Sequence, residues 1–217
     1  MNYKHLIISL ILCQLIFPNN DRWQFSSKLG EQLTLNGEKF KKFSNDVVIK
    51  NDVQTIYSDY ASQNNTTKNI SIFGNVKMVD KENTITCDSM FYWSNKDSIA
   101  AYGNVHLKQL NRGVTGNSMF LKYENKKIKS FQIFDNAYGY NEELIQINKS
   151  DTPKKFINEM TSKVMNGYLN EGLLNSLHLI KMATTNYHMT QDSLLVGKNI
   201  ASGDTIIIYL SEKKLSE

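Results

Sequence analysis

The sequence predicts an all-β protein, an array of antiparallel strands built from repeats of about 29 residues. Three observations carry this. There are 2 prolines in 217 residues, while 11 tyrosines and 10 phenylalanines sit among many Val, Ile and Thr side chains, which suit a pleated, half-buried surface. Apolar residues alternate with polar ones at period two. The chain also matches itself at a fixed offset, the mark of a stacked repeat.

The chain opens MNYKHLIISLILCQLIFPNN, with Lys4 and His5 ahead of an apolar run from Leu6 to Phe17. A basic start before a short apolar core is the layout of a secretory signal. A membrane-spanning helix needs about 20 apolar residues, and this run is shorter and contains Gln14. Residues 1–18 are therefore expected to be a signal peptide. An uncleaved anchor is the alternative, because no A-x-A-like site follows; a buried N-terminal helix is a third reading. Leu12 is large for the position preceding a lipoprotein cysteine, so Cys13 does not read as a lipidation site. With Cys13 removed, Cys87 stands alone, and neither an intrachain disulfide nor a C-x-x-C site remains.

The repeats occupy residues 19–148. Thr55-Ile-Tyr-Ser-Asp-Tyr-Ala61 aligns with Thr84-Ile-Thr-Cys-Asp-Ser-Met90 and with Gly113-Val-Thr-Gly-Asn-Ser-Met119, each 29 residues after the last. Ahead of the later two stand Phe73-Gly-Asn-Val76 and Tyr102-Gly-Asn-Val105, with Phe43-Ser-Asn-Asp-Val47 as a looser first copy. Ile70, Ile72, Gly74, Val76 and Met78 share one parity, as do Ile99, Ala101, Gly103, Val105 and Leu107, which places one face of each strand in a core. Gly74 and Gly103 fall mid-strand, where a bulge or sharp bend is expected. In the other strand of each copy Ile56, Ile85 and Val114 are followed five residues on by Ala61, Met90 and Met119. Five is an odd step, so a kink near Asp59, Asp88 and Asn117 is needed to keep both positions inside; Asp and Asn tolerate such irregularity. Turns are expected at Ser94–Asp97, Glu124–Lys127, 170–172 and Ser211–Lys214, each after an aromatic strand end.

Residues 149–217 are expected to continue the array with copies spaced by roughly 40 to 46 residues. Met160–Met165 and Ile200–Ile206 are the later counterparts, and the polar stretch Asn148–Lys155 is a long loop or hinge. Phe156, Met160, Val164 and Tyr168 also sit at steps of four, a helical pattern; alignment with the other copies favours strand. The end of the chain reads as strand, turn and the start of another strand, as in a sequence cut short.

Copies carrying F-x-G-N-V, then T-I-x-x-D-x-M, then an aromatic strand end and an N-K-type turn resemble the LptA/OstA-like family of lipopolysaccharide transport proteins, in its long Bacteroidetes-type form. The resemblance spans residues 43–140 and, more loosely, 156–217. It implies a β-jellyroll of stacked antiparallel strands, V-shaped in section and open at both ends. It implies a non-enzymatic carrier in the periplasm, associated with the inner face of the outer membrane, that shields lipopolysaccharide acyl chains and takes part in outer membrane biogenesis. Its implied partners are lipid A acyl chains and other jellyroll proteins of the transport system, paired edge to edge. The groove-lining candidates are Ile72, Val76, Ile85, Met90, Val105, Val114 and Met119; plain core is the other reading of each. No cofactor or metal is implied.

The formal net charge of +4 comes from 25 basic and 21 acidic residues, interleaved, with no basic tract of the kind nucleic-acid binding requires. His5, His106, His178 and His188 lack metal-ligand spacing. No G-x-S-x-G, P-loop or G-x-G-x-x-G is present. Asp59 and Asp88 recur, but the third copy has Asn117, so a turn role is expected over paired-carboxylate catalysis. The competing class is a ligand-free structural or adhesive β-solenoid at the cell surface; a carbohydrate-active solenoid would need an acidic cluster on one outer face.

Overall fold

A computed structural model describes residues 23–125, 127–170 and 173–209. The predicted signal segment 1–18, Cys13 and the turn at Ser211–Lys214 lie outside the described residues. All twelve elements are strands: β1 (Gln24–Ser26), β2 (Leu29–Leu35), β3 (Glu38–Lys50), β4 (Thr55–Asn64), β5 (Ile70–Val79), β6 (Asn83–Trp93), β7 (Ser98–Gln109), β8 (Arg112–Glu124), β9 (Lys127–Ile145), β10 (Lys154–Asn170), β11 (Leu173–Gln191) and β12 (Leu194–Tyr209). They form one antiparallel sheet in which β3 to β12 pair in chain order. The 156–170 segment, which offered both periods, is strand β10. Its residues from Lys154 to Tyr168 pair with β9 along a strand ladder, and Tyr168, the last of the four-step set, is 43% exposed.

Each long strand is interrupted at one column that lines up across the sheet, and β8–β12 carry a second shift towards a strand end. The register shifts at Ser44/Val47, Phe73/Val76 and Tyr102/Val105, always with one more residue on the odd-numbered strand than on its even-numbered neighbour. That extra residue is a β-bulge, which bends its strand and sharpens the local twist. Repeated strand after strand, it folds the sheet into two walls. Wall A holds, for example, residues 76–79 of β5 and 83–87 of β6; wall B holds 70–73 and 89–93. At the fold, each odd strand carries two consecutive residues with positive φ: Asn45-Asp46, Gly74-Asn75, Gly103-Asn104, Asp135-Asn136 and Lys181-Met182. The predicted kink at Asp59, Asp88 and Asn117 lies in the same column, although the left-handed backbone belongs to the strands alongside.

At the start of the array the corner becomes a break. β1 pairs with 48–50 of β3 and β2 with 38–44, so together they replace one bent strand. Lys28 bridges the break, its N–H donating to Asn45 O at 3.0 Å and its Nζ pairing with Asp46 at 2.5 Å.

The predicted parity holds through the corner. Ile56 with Ala61, Ile85 with Met90, and Val114 with Met119 are all buried, as are Ile70, Ile72, Val76 and Met78. These residues join one core cluster between the walls. Aromatic rings close the walls onto each other over β1–β6. Phe25 of wall A stacks on Phe43 of wall B, with centroids 4.7 Å apart and planes 14° apart, and Trp23 sets its edge against Tyr92 at 5.6 Å. Cys87 lies in this sealed half, where burial pushes its thiol up to about 12.

Candidate functional site

The inward row of wall A marks where space opens. Cross-strand register sets Met78 beside Ile85, then runs through Val114 and Gly139 to Thr185 and Ala201. Leu107 and Met160 belong to the same row, and Gly139, Thr185 and Ala201 bring small side chains, one of them polar, to its β9–β12 end. A cavity of about 650 Å³ opens here, bounded by β7–β12 with a contribution from Asn83 of β6. It falls within the range of small-molecule sites, roughly 300–1,000 Å³. Wall B supplies Ile128, Phe131, Leu169, Leu177, Ile206 and Ile208; wall A supplies Val114 and Met160.

A second row on wall A, further from the corner, also faces the cavity and is polar. Asn83 lies opposite Gln109, Gln109 opposite Arg112, Arg112 opposite Asn141, and Asn141 opposite Asn158. All five line the cavity. The β10–β11 ladder runs no further than Glu159 opposite Asn186. Beyond it Asn158 Oδ1 accepts from His188 N–H at 2.8 Å and from His188 Nδ1 at 2.9 Å. Asn141 Nδ2 donates to Glu143 Oε1 at 2.7 Å. Burial, and then the Glu143 carboxylate, raise the Tyr187 hydroxyl above its ordinary range. Past the ladder's end, the loop after β9 is tied to the β11–β12 turn by Gln146 N–H donating to Ser193 O at 3.0 Å and Leu195 N–H donating to Gln146 O at 2.8 Å.

Of the seven residues singled out by sequence, the structure brings Val114 to the cavity wall. Ile72, Val76, Ile85, Met90, Val105 and Met119 lie together in the sealed core at 1% exposure or less. Sequence reasoning missed the polar row and the apolar residues from β9 to β12. Their signal, a shared cross-strand register, needs the hairpins to be known first.

The arrangement is equipped to hold an amphiphile. Among the described residues no group of three or more His, Cys, Asp or Glu is placed to hold a metal ion. Asp59 and Asp88 face the corner, accepting hydrogen bonds from Asn75 Nδ2 at 2.7 Å and Asn104 Nδ2 at 3.1 Å. That is the turn role expected of them.

No family model matches the sequence, and no curated protein matches it. Among solved structures the chain is similar to LptH of Pseudomonas aeruginosa, described as the LptA-homologous periplasmic component of the conserved lipopolysaccharide transport device. The TM-score is 0.44 and the identity 9%, over 63% of this chain and 93% of that one. The all-β architecture described above rests on the chain's own strands, register and corner column.

Proposed function

We propose that the protein is a lipid carrier of the lipopolysaccharide transport kind, working in the periplasm and associated with the inner face of the outer membrane. It holds acyl chains between the two walls and catalyses no reaction. The observation that carries this reading is the cavity at β7–β12: a space of about 650 Å³, apolar on wall B, between walls that elsewhere close on each other. Shielding a methylene there is worth about 0.8 kcal/mol, so even one short chain gives useful affinity. Val114 contacts the lipid directly, while the six sealed candidates form the close-packed core beside the cavity. Among the described residues β12 pairs along its length with β11 and otherwise meets one isolated bridge, Leu194 to Gln146. Such an edge suits strand addition by another jellyroll protein of the transport system, which supports the bridging role.

The test is photo-crosslinking in cells that make lipopolysaccharide. Probes at Val114 and Ile206 are expected to yield a lipid adduct, and a probe at the outward-facing Lys77 none. Folded protein with no adduct at either cavity position would sink the carrier reading. The sealed half over β3–β6 would then favour a ligand-free structural solenoid.

A further inference from the structure

The polar row of wall A contains hydrogen-bond donors with nothing to donate to. Asn158 is 2% exposed, and its Nδ2 has no partner. Its orientation is fixed, because both bonds from His188 go to Oδ1, which leaves the amide's N–H groups as the free end. The Nε of Arg112 is likewise buried without a partner. Two carboxylates line the cavity and both are engaged elsewhere: Glu143 accepts from Asn141 Nδ2 and Glu159 from the Tyr138 hydroxyl. A buried donor left without an acceptor costs about 1–3 kcal/mol, more when charged, and arginine stays charged at any physiological pH. Two unmet donors, one cationic, facing a cavity whose other wall is apolar call for an acceptor that arrives attached to an apolar chain.

We infer that the cavity is a head-and-tail site, in which Arg112 and Asn158 take the anionic head, a phosphate or carboxylate, of an acyl lipid whose chain lies against wall B. This rests on the carrier reading for the tail and adds the head. The register explains the geometry. Arg112 and Asn158 both lie opposite Asn141, one on each side, so their side chains flank it on one face. Val114 and Met160, two residues along the same strands, begin the apolar surface. Charged head and apolar tail thus meet adjacent rows of one wall. Asn83 and Gln109 extend the row but are already paired, Gln109 Nε2 donating to Asn83 Oδ1 at 3.2 Å and Asn83 Nδ2 to Asp80 Oδ1 at 3.2 Å, which leaves Arg112 and Asn158 as the unmet donors.

The experiment uses the full chain, stripped of co-purified lipid, and calorimetric titration with decyl phosphate, 1-decanol and inorganic phosphate below micelle-forming concentrations. Decyl phosphate is expected to bind about tenfold tighter than decanol, the scale of one charge-assisted hydrogen-bonded contact. Arg112→Gln should erase that preference while decanol affinity stays the same, which also shows the cavity intact. Lys108→Gln, which removes an equal charge from the exposed face of β7, should keep the preference. Asn158→Asp retains the acceptor for His188 and replaces the free donor with an acceptor, so it should lower affinity for decyl phosphate alone; this variant decides the matter if Arg112→Gln misfolds. Equal binding of decanol and decyl phosphate by the natural protein, or a preference that survives Arg112→Gln, overturns the head site and leaves the carrier reading standing. Inorganic phosphate binding as tightly as decyl phosphate overturns the lipid head in favour of a free-phosphate site. Failure of all three probes removes both readings.

Discussion

Gly103 occupies a corner position that combines a backbone φ of +74° with a neighbour pressed against it, and each condition alone restricts the choice of residue. A Cβ built there would come 2.7 Å from Asp88 Cγ, and one at Gly74, with φ +77°, would come 2.9 Å from Asp59 Cβ. The carboxylates cannot withdraw freely, because Asn104 and Asn75 hold them. Gly103→Ala is therefore expected to destabilise by about 2–3 kcal/mol, combining left-handed strain with the clash. In an Asp88→Ala background the same change should cost about 1 kcal/mol less, because the carboxylate contact is gone while the strain and the contact with the Cβ of residue 88 remain. Urea unfolding of the four proteins measures this coupling, and equal costs in both backgrounds would remove the clash from the account. His106 gives a second handle. Burial, with Lys108 as the lesser cause, lowers its pKa below the ordinary 6.5, and its Nε2 lies 3.1 Å from Tyr140 Oη. The folded state thus prefers the neutral ring, so this contribution is intact above about pH 6.5 and is lost as pH falls from there towards the lowered value. The Tm of the natural protein should fall more between pH 7.5 and 5.5 than that of His106→Gln, and parallel falls would dismiss the effect.

At the scale of the strand, exposure is unevenly distributed. β12 is mostly solvent-exposed, including Val196, Ile200, Ile207 and Tyr209, whereas the inward positions of β5 and the corner side of β6–β8 are sealed. Amide exchange is expected to be fastest along β12 and slowest at Ile85, Val105 and Met119, because strands with few buried contacts open locally at low cost. Protection in β12 equal to that of β6 would mean that something covers its edge. The same unevenness decided what was legible in the residues. Period-two alternation exposed the inward faces of β4–β8, and the odd step from Ile85 to Met90 exposed the corner. Glycine marked the corner at residues 74 and 103. It could not do so at Asn45-Asp46, Asp135-Asn136 or Lys181-Met182, which reach the same left-handed backbone without glycine. Nothing in the residues foretold β1 and β2, because a strand broken at its corner leaves two runs of 3 and 7 residues, too short to show a period.

For the molecule as a whole, the central asymmetry is between a sealed half and a hollow half built from the same repeat. Parity is identical in both, so the sequence pattern alone assigns Val105 and Val114 the same inward role. What separates them is place in the sheet: Val105 lies beside the corner, whereas Val114 lies in the row that runs on to the small residues Gly139, Thr185 and Ala201. This makes the two valines a matched pair. Val105 is 1% exposed beside the corner, in close-packed core, while Val114 borders the cavity. Val105→Phe must force extra atoms into filled space, which costs about 1–3 kcal/mol. Val114→Phe has empty volume to enter and is expected to cost less than about 1 kcal/mol, or to stabilise, since it buries new apolar surface without displacing a neighbour. On lipid binding the order should invert. Bound lipid raises the Tm of the natural protein by mass action. Val105→Phe, once folded, should keep that rise, whereas Val114→Phe, with its ring in the lipid's place, should lose most of it. Thermal melts of the three proteins with and without decyl phosphate measure both effects together. If the two substitutions cost the same and leave the ligand-induced rise unchanged, the hollow half is packed in solution and the carrier reading loses the observation that supports it.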